Sequence, residues 1–285
     1  MTIRNPIEWT AGQVELTIHA LKSAGYVFRH PQVDVNASPE VRRISVLDLR
    51  DILLSGLRDF GAYRPDVIFL CFIYPLSGLL LADITLHFAL LPLVFPLVSG
   101  FALIGPFAAA GLYEMSRRQE QGKPVSWSDA FGVFGSPNFA EIIKLGVLLL
   151  AIFLLWLATA TVIYRLTLGP AMPDSFSSFV TRVFTTPAGW ALIGVGIGVG
   201  FVFALVVLGI SVVSFPLLLD RPVNVSNAVR TSVRAVILNP IPMLTWGLIV
   251  AIGLILGAIP ALIGLVIVMP ILGHATWHLY RKVVC

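Results

Sequence analysis

Charge is what this chain has least of. Only 12% of its 285 residues are Asp, Glu, Lys or Arg, 57% are hydrophobic, and the mean hydropathy is +0.91. A soluble domain carries roughly 25% charged residues, so a cytosolic enzyme and a disordered tail are both excluded. A surplus of apolar surface this large is hidden from water only in a bilayer. Cysteine is nearly absent: Cys71 lies inside an apolar run, Cys285 ends the chain, and the two form no CxxC pair. That excludes a disulfide scaffold and gives no zinc site built on cysteine. No charge falls at the centre of a long apolar run, which argues against a pump driven through a buried carboxylate relay. A transporter that binds substrate through the backbone of broken helices is still open. No GxSxG, Walker loop or HExxH is present for acyl, phosphoryl or zinc chemistry, so the chain is not read as an enzyme. The first 40 residues hold no apolar stretch of signal-core length, and the N-terminus is expected to stay in the cytoplasm.

What is present is a series of apolar runs near 66–84, 89–113, 142–164, 189–217, 242–258 and 260–279. Each is close to the ~20 residues that cross a bilayer as helix. The last two come from one nearly continuous run, which Gly257-Ala258-Ile259-Pro260 divides by a turn. The expected fold is therefore all-α: a polytopic bundle of six transmembrane helices over 44–285, preceded by a cytoplasmic tail over 1–43. In that tail Ala11, Val14, Ile18 and Leu21 recur at helical spacing and predict a short amphipathic helix ending near Gly25. With the N-terminus inside, seventeen Lys and Arg fall on the inner side and only Arg165 and Arg182 on the outer. The positive-inside rule then places both termini in the cytoplasm. The net charge of +4 is spread over loops rather than gathered in a basic tract, so membrane orientation explains it and nucleic acid does not.

A unit recurs three times. Ser45 to Asp48 reads as a capping box opening a helix with Leu49, Ile52, Leu53, Gly56, Leu57 and Phe60 on one face and Arg50, Asp51, Arg58 and Asp59 opposite. Ser126–Ser136 and Asn224–Leu238 are shorter counterparts, and all three are expected to lie in the membrane interface. Each is followed by a pair of crossings whose second member carries a proline near its inner end: Pro106, Pro216 and Pro270. A proline frees the carbonyl four residues back, which lipid cannot satisfy, so these three helices are expected to face the bundle interior. The alternative is that proline is simply commoner in membrane helices. Gly194, Gly196, Gly198 and Gly200, and the pair Gly253 and Gly257, predict close helix packing; the first run lacks the GxGxxG spacing of a nucleotide loop.

Few polar residues are candidates for chemistry. His274 and His278 stand one turn apart on the last helix, the i, i+4 spacing of helical metal sites, and Glu114 is a candidate third ligand. The competing reading is an interfacial belt made of Trp277, Tyr280, Arg281 and both histidines. Haem on the His274 and His278 pair is disfavoured, because axial ligands must approach from opposite faces. No cofactor is predicted, with metal or haem at this pair kept as an alternative. Asp83 and His87 flank the first outer turn as a solvated pair that could otherwise bind a cation or relay protons, and Lys144 and Glu141 sit where a long side chain snorkels at the start of the third crossing.

The segments Val67–Leu76, Gly100–Phe107, Phe184–Trp190, Ser211–Arg221 and Gly273–Arg281 resemble the DUF2189 family of bacterial integral membrane proteins. The likeness spans about residues 44 to 284. It implies a bacterial inner-membrane protein and no established activity. Some members carry a cytochrome c oxidase subunit I label, which five histidines, two of them on one helix, do not support, since a haem-copper subunit needs six ligands on several helices. The leading expectation is a non-catalytic accessory, assembly or membrane-organising subunit whose partners are lipids and a larger membrane complex. A small-solute or lipid transporter, and a metal or haem carrier through His274 and His278, are the alternatives.

Overall fold

The computed structural model describes residues 39–62, 68, 71–72, 75–80, 91–169, 175–260 and 262–285. The amphipathic helix expected before Gly25, most of the first span, and Asp83 and His87 lie outside the described residues. The fold is all-helical; among the described residues the one extended pairing is an isolated antiparallel bridge between Val41 and Val284.

Local chemistry sets the helix boundaries. Helix α1, Asp48–Ala62, starts where Ser45 and Asp48 cap one another: the Ser45 amide donates to Asp48 Oδ2 at 2.7 Å, and the Asp48 amide to Ser45 Oγ at 3.3 Å. The Ser45 amide and hydroxyl, with Lys282 beyond them, hold the Asp48 carboxyl below its usual range. A 3₁₀ turn at Leu91–Leu93 leads into α2, Val94–Ala108, and after Ala109 the chain restarts as α3, Ala110–Glu120. The second expected span thus stops short of Tyr113, with Pro106 inside the last turn of α2. A second capping box, Ser126 with Asp129, opens a 3₁₀ stretch at Trp127–Gly135. Helix α4, Phe139–Thr167, is followed by Gly169 at φ +87, the left-handed residue that ends a helix without a Cβ penalty. Helix α5, Phe176–Thr185, runs to Thr186, which caps Gly189 N ahead of α6, Pro187–Ser211. Helix α7, Ser214–Asp220, follows a two-residue break, and Asn224 caps α8, Val225–Leu238. The chain ends with α9, Pro240–Ala258, and α10, Leu265–Val283, so the turn after Gly257 divides the last apolar run as expected.

Among the described residues three stretches are long and apolar enough to cross a membrane: Phe139–Thr167, Pro187–Asp220 and Pro240–Ala258. Protein covers them thinly, with 28%, 6% and 22% of their most apolar windows buried inside the molecule. The dense core sits instead at one end, where α7 is buried from Ser214 to Leu219 and α10 buries nearly every residue from Leu272 to Val283. Serines serve the break before α7: the Ser211 hydroxyl donates to Val207 O at 2.7 Å, and Val213 N donates to Ser232 Oγ at 3.2 Å. Polar satisfaction of this kind is what lets a helix break inside an apolar bundle. Pro216 and Pro270 are buried there, while Pro106 is half-buried.

Two packing expectations divide. A Cβ on Gly253 would lie 3.2 Å from Leu272 Cδ1 and one on Gly257 2.9 Å from Leu265 Cδ2, so this pair does seat α9 on α10. Of the run in α6 only Gly200 has a contact among the described residues, with Trp156 at 3.2 Å; at Gly194, Gly196 and Gly198 a Cβ would meet no described residue within 4 Å. Residues two apart on a helix point to nearly opposite sides, so one α4 face cannot engage all four.

The segment just before α1 is tied to the C-terminal residues at the dense end. Arg42 N donates to Val283 O at 2.8 Å and Cys285 N to Glu40 O at 3.0 Å. Buried Asn239 accepts from Ile44 N at 2.7 Å and donates to Arg42 O at 3.0 Å and Ala235 O at 3.1 Å. Asn239→Ala strands two backbone groups at once, Ile44 N and Arg42 O, since Ala235 O keeps the Asn239 backbone amide, and should cost about 2 kcal/mol. The measurement is thermal unfolding in detergent with limited proteolysis; an unchanged midpoint with residues 40–45 still protected would show that the amide holds nothing.

Candidate functional site: a polar layer at one end of the bundle

Two glycines bring the site together. A Cβ on Gly56 of α1 would lie 2.7 Å from Ala275 Cβ, Ala275 N and Ile271 O, and one on Gly273 of α10 would lie 2.6 Å from Leu112 Cδ1. Only residues without side chains permit approaches this close. Helices α1 and α3 therefore close on α10 and deliver Asp59 and Ser116 to the two histidines.

Ser116 Oγ donates to Asp59 Oδ2 at 2.7 Å and lies 2.7 Å from His274 Nδ1. A hydroxyl has one hydrogen. Having given it to the carboxylate, Ser116 accepts from His274, whose Nδ1 must carry a proton, while Nε2 is a buried atom with no close hydrogen-bond partner among the described residues. His278 Nε2 donates to the same Asp59 oxygen at 2.9 Å. Asp59, Ser116 and His274 are all buried, and His278 is partly exposed. A carboxylate in such a place is stable only when its oxygens are met by donors, and here donors from two other helices meet it.

Asp59 is the main correction to the sequence reading, which set it on the polar face of α1 with Arg58. The buried residues of that helix are Leu49, Ile52, Gly56, Asp59 and Phe60. The missed signal is the 3-4-3 spacing of 49, 52, 56 and 59, a continuous seam in which Asp59 takes the last place.

Glu114 does not join the histidines. Arg117 grips it through two parallel bonds, Nε to Oε2 at 2.7 Å and Nη2 to Oε1 at 2.9 Å, and Arg118 Nε adds a third at 3.2 Å. These bonds keep the Arg117 guanidinium more firmly protonated than usual. Among the described residues no group of three or more His, Cys, Asp or Glu is placed to hold a metal ion.

The belt residues are also placed differently from the expectation. Trp277 and Tyr280 are fully buried, with ring centroids 5.4 Å apart. Trp277 Nε1 donates to Glu120 Oε2 at 3.1 Å, and the Tyr280 hydroxyl to Asp220 Oδ2 at 2.6 Å. Arg281 bridges both acids, from Nε to Glu120 Oε1 at 2.9 Å and from Nη1 to Asp220 Oδ2 at 3.3 Å. Their polar tips find carboxylates inside the protein, so headgroups are not needed to satisfy them. On the flank of this layer Glu141 pairs with Lys144 and also accepts from Val225 N at 2.8 Å, capping the entry to α8. The arrangement can hold α1, α3, α7 and α10 together. It presents no nucleophile beside an open cleft.

A family profile described as a predicted integral membrane protein, DUF2189, matches residues 94–220. That range runs from the start of α2 to the end of α7 and includes Ser116, Glu114, Glu120 and Asp220, while Asp59, His274 and His278 lie beyond it. The likeness to this family is shown over those residues, and the chain is an integral membrane protein with several helices able to span a bilayer. No curated protein and no solved structure matches the chain.

Proposed function

We propose that this is a non-catalytic protein of the bacterial inner membrane, an accessory, assembly or membrane-organising subunit with six crossings and both termini in the cytoplasm. The observation that carries the reading is the contrast between its two regions. The polar layer is engaged within the chain, since Asp48, Asp59, Glu114, Glu120, Asp129, Asp220 and Glu141 all have partners of their own. The stretch Pro187–Asp220, by contrast, has only 6% of its most apolar window buried inside the protein, with Ile197, Phe201 and Val202 among its exposed side chains. A closed polar layer suits a scaffold, and an uncovered apolar helix suits contact with lipid or another membrane protein. The threefold recurrence of amphipathic segment and helix pair belongs to the same reading.

The test is native mass spectrometry of the protein extracted from its own membranes in mild detergent, with photo-crosslinkers at Ile197 and Phe201. A stoichiometric protein partner crosslinked there supports the subunit. A bare protein that shows substrate-dependent flux in proteoliposomes would replace that reading with a transporter. One observation favours a metal or haem carrier, the unpartnered Nε2 of His274; replacing both histidines by alanine should then abolish bound metal, and unchanged metal content ends that reading.

A further inference from the structure

The end of the bundle opposite the polar layer holds a different kind of site. Helices α4 and α6 are joined there through α5, a helix with no buried residue whose Phe179, Val180 and Val183 lie half-buried over the bundle. Beneath them is a cavity of about 250 Å³, floored by Trp156, Ala160 and Gly196. Its one tethered polar group is the Trp156 indole, which donates to Pro96 O at 3.0 Å, so the chamber offers an occupant only apolar contact. Gly196 belongs to the run whose packing role the structure does not show: a Cβ there meets none of the described residues within 4 Å, and the missing side chain leaves room in the chamber.

The same corner carries Arg165, in the last turn of α4, and Arg182, in the last turn of α5. These are the two cations that depart from the one-sided charge pattern, and among the described residues they are the only charged groups at this end. Arg182 reaches across to Leu168 O at 2.9 Å, just past the end of α4, and Arg165 is exposed. Neither makes an ion pair among the described residues; Asp83 and Asp174 lie outside them. Aromatic rings mark the level of the membrane interface: Tyr164 stands 6.4 Å from Phe179, and Phe184 stands 6.4 Å from Trp190, whose Nε1 donates to Phe184 O at 3.1 Å.

We infer that this corner binds one anionic glycerophospholipid, with an acyl chain in the cavity under α5 and the headgroup phosphate against Arg165 and Arg182. Each half requires the other. An apolar chamber at the interface accepts hydrocarbon without discriminating among lipids, and two cations that have no acidic partner among the described residues select a negative headgroup. Amphipathic α5 lies where the two meet, the position such helices take at the boundary of headgroup and acyl chain.

The experiment loads delipidated full-length protein in mild detergent with equimolar dioleoyl phosphatidylglycerol and dioleoyl phosphatidylcholine and counts bound lipids by native mass spectrometry. One phosphatidylglycerol per chain should be retained, with a preference of roughly tenfold over phosphatidylcholine. Replacing Arg165 and Arg182 together by glutamine should bring that preference to within about twofold. Gly196→Leu, which fills the chamber from a position with free space at Cβ, should lower retention of both lipids. Equal retention of the two lipids by the unaltered protein, an unchanged preference in the arginine double variant, or undiminished retention by Gly196→Leu each overturns the inference. Should those variants not fold, brominated phosphatidylglycerol decides with one conservative substitution: its quenching of fluorescence should fall in Trp156→Phe relative to the unaltered protein, and unchanged quenching places the acyl chain elsewhere.

Discussion

Gly56→Val is expected to lift α1 off α10. The new Cβ would stand 2.7 Å from three atoms of the partner helix, and two of these, Ala275 N and Ile271 O, are backbone atoms that no rotamer change can move aside. Overpacking of this kind costs about 3 kcal/mol, enough to lower the thermal midpoint in detergent and to raise amide exchange throughout Asp48–Ala62. Because Asp59 is one turn further along, the same lesion withdraws the acceptor from His278, which should then react faster with diethylpyrocarbonate. Gly61 is the internal control. It lies in the same helix, a Cβ there meets nothing within 4 Å, and Gly61→Val should change stability by no more than about 0.5 kcal/mol. Equal effects of the two substitutions would mean that backbone flexibility, and not the close approach, is what Gly56 provides.

This comparison shows where the sequence could be read and where it could not. Helix ends were legible because their signals are local: Ser45 with Asp48, Asn224 before α8 and the turn after Gly257 all act within a few residues. Three of the apolar spans, Phe139–Thr167, Pro187–Asp220 and Pro240–Ala258, were legible from composition. Asp59 was misplaced because a carboxylate is assigned to the wet side of a helix by default, and the donors that make its burial tolerable come from Ser116 and His278, 57 and 219 residues away. For the same reason Glu114 looked like a ligand: its spacing from Pro106 says nothing of Arg117 and Arg118 closing on it from its own helix. For the glycines of α6, spacing reveals that backbones could approach, and not which helix arrives; among the described residues Gly200 alone meets a neighbour. Trp277 and Tyr280 carried the composition of an interfacial belt, yet the acids that receive their polar tips, Glu120 and Asp220, belong to helices with no sequence link to α10.

Asp59→Ala should be the most damaging change among the polar residues. It removes the one oxygen that both Ser116 and His278 address and leaves two buried or half-buried donors with no acceptor, and through Ser116 it loosens the hold on His274. Breaking a buried hydrogen-bonded charge in this way costs about 3 kcal/mol or more. Asp59→Asn keeps a carbonyl oxygen with two lone pairs at the same place and should cost nearer 1 kcal/mol, so the order Ala worse than Asn separates the geometry of acceptance from the charge itself. A double-mutant cycle with His278→Ala then asks whether α1 and α10 are coupled through this contact: a coupling of about 1 kcal/mol or more is expected for partners that share one hydrogen bond. Strict additivity would show that Asp59 serves only its neighbour Ser116 on α3. In that case the polar link from α1 to α10 would run only through Asp59, Ser116 and His274, His278 would stand outside it, and the Gly56 seat would carry the rest of the approach.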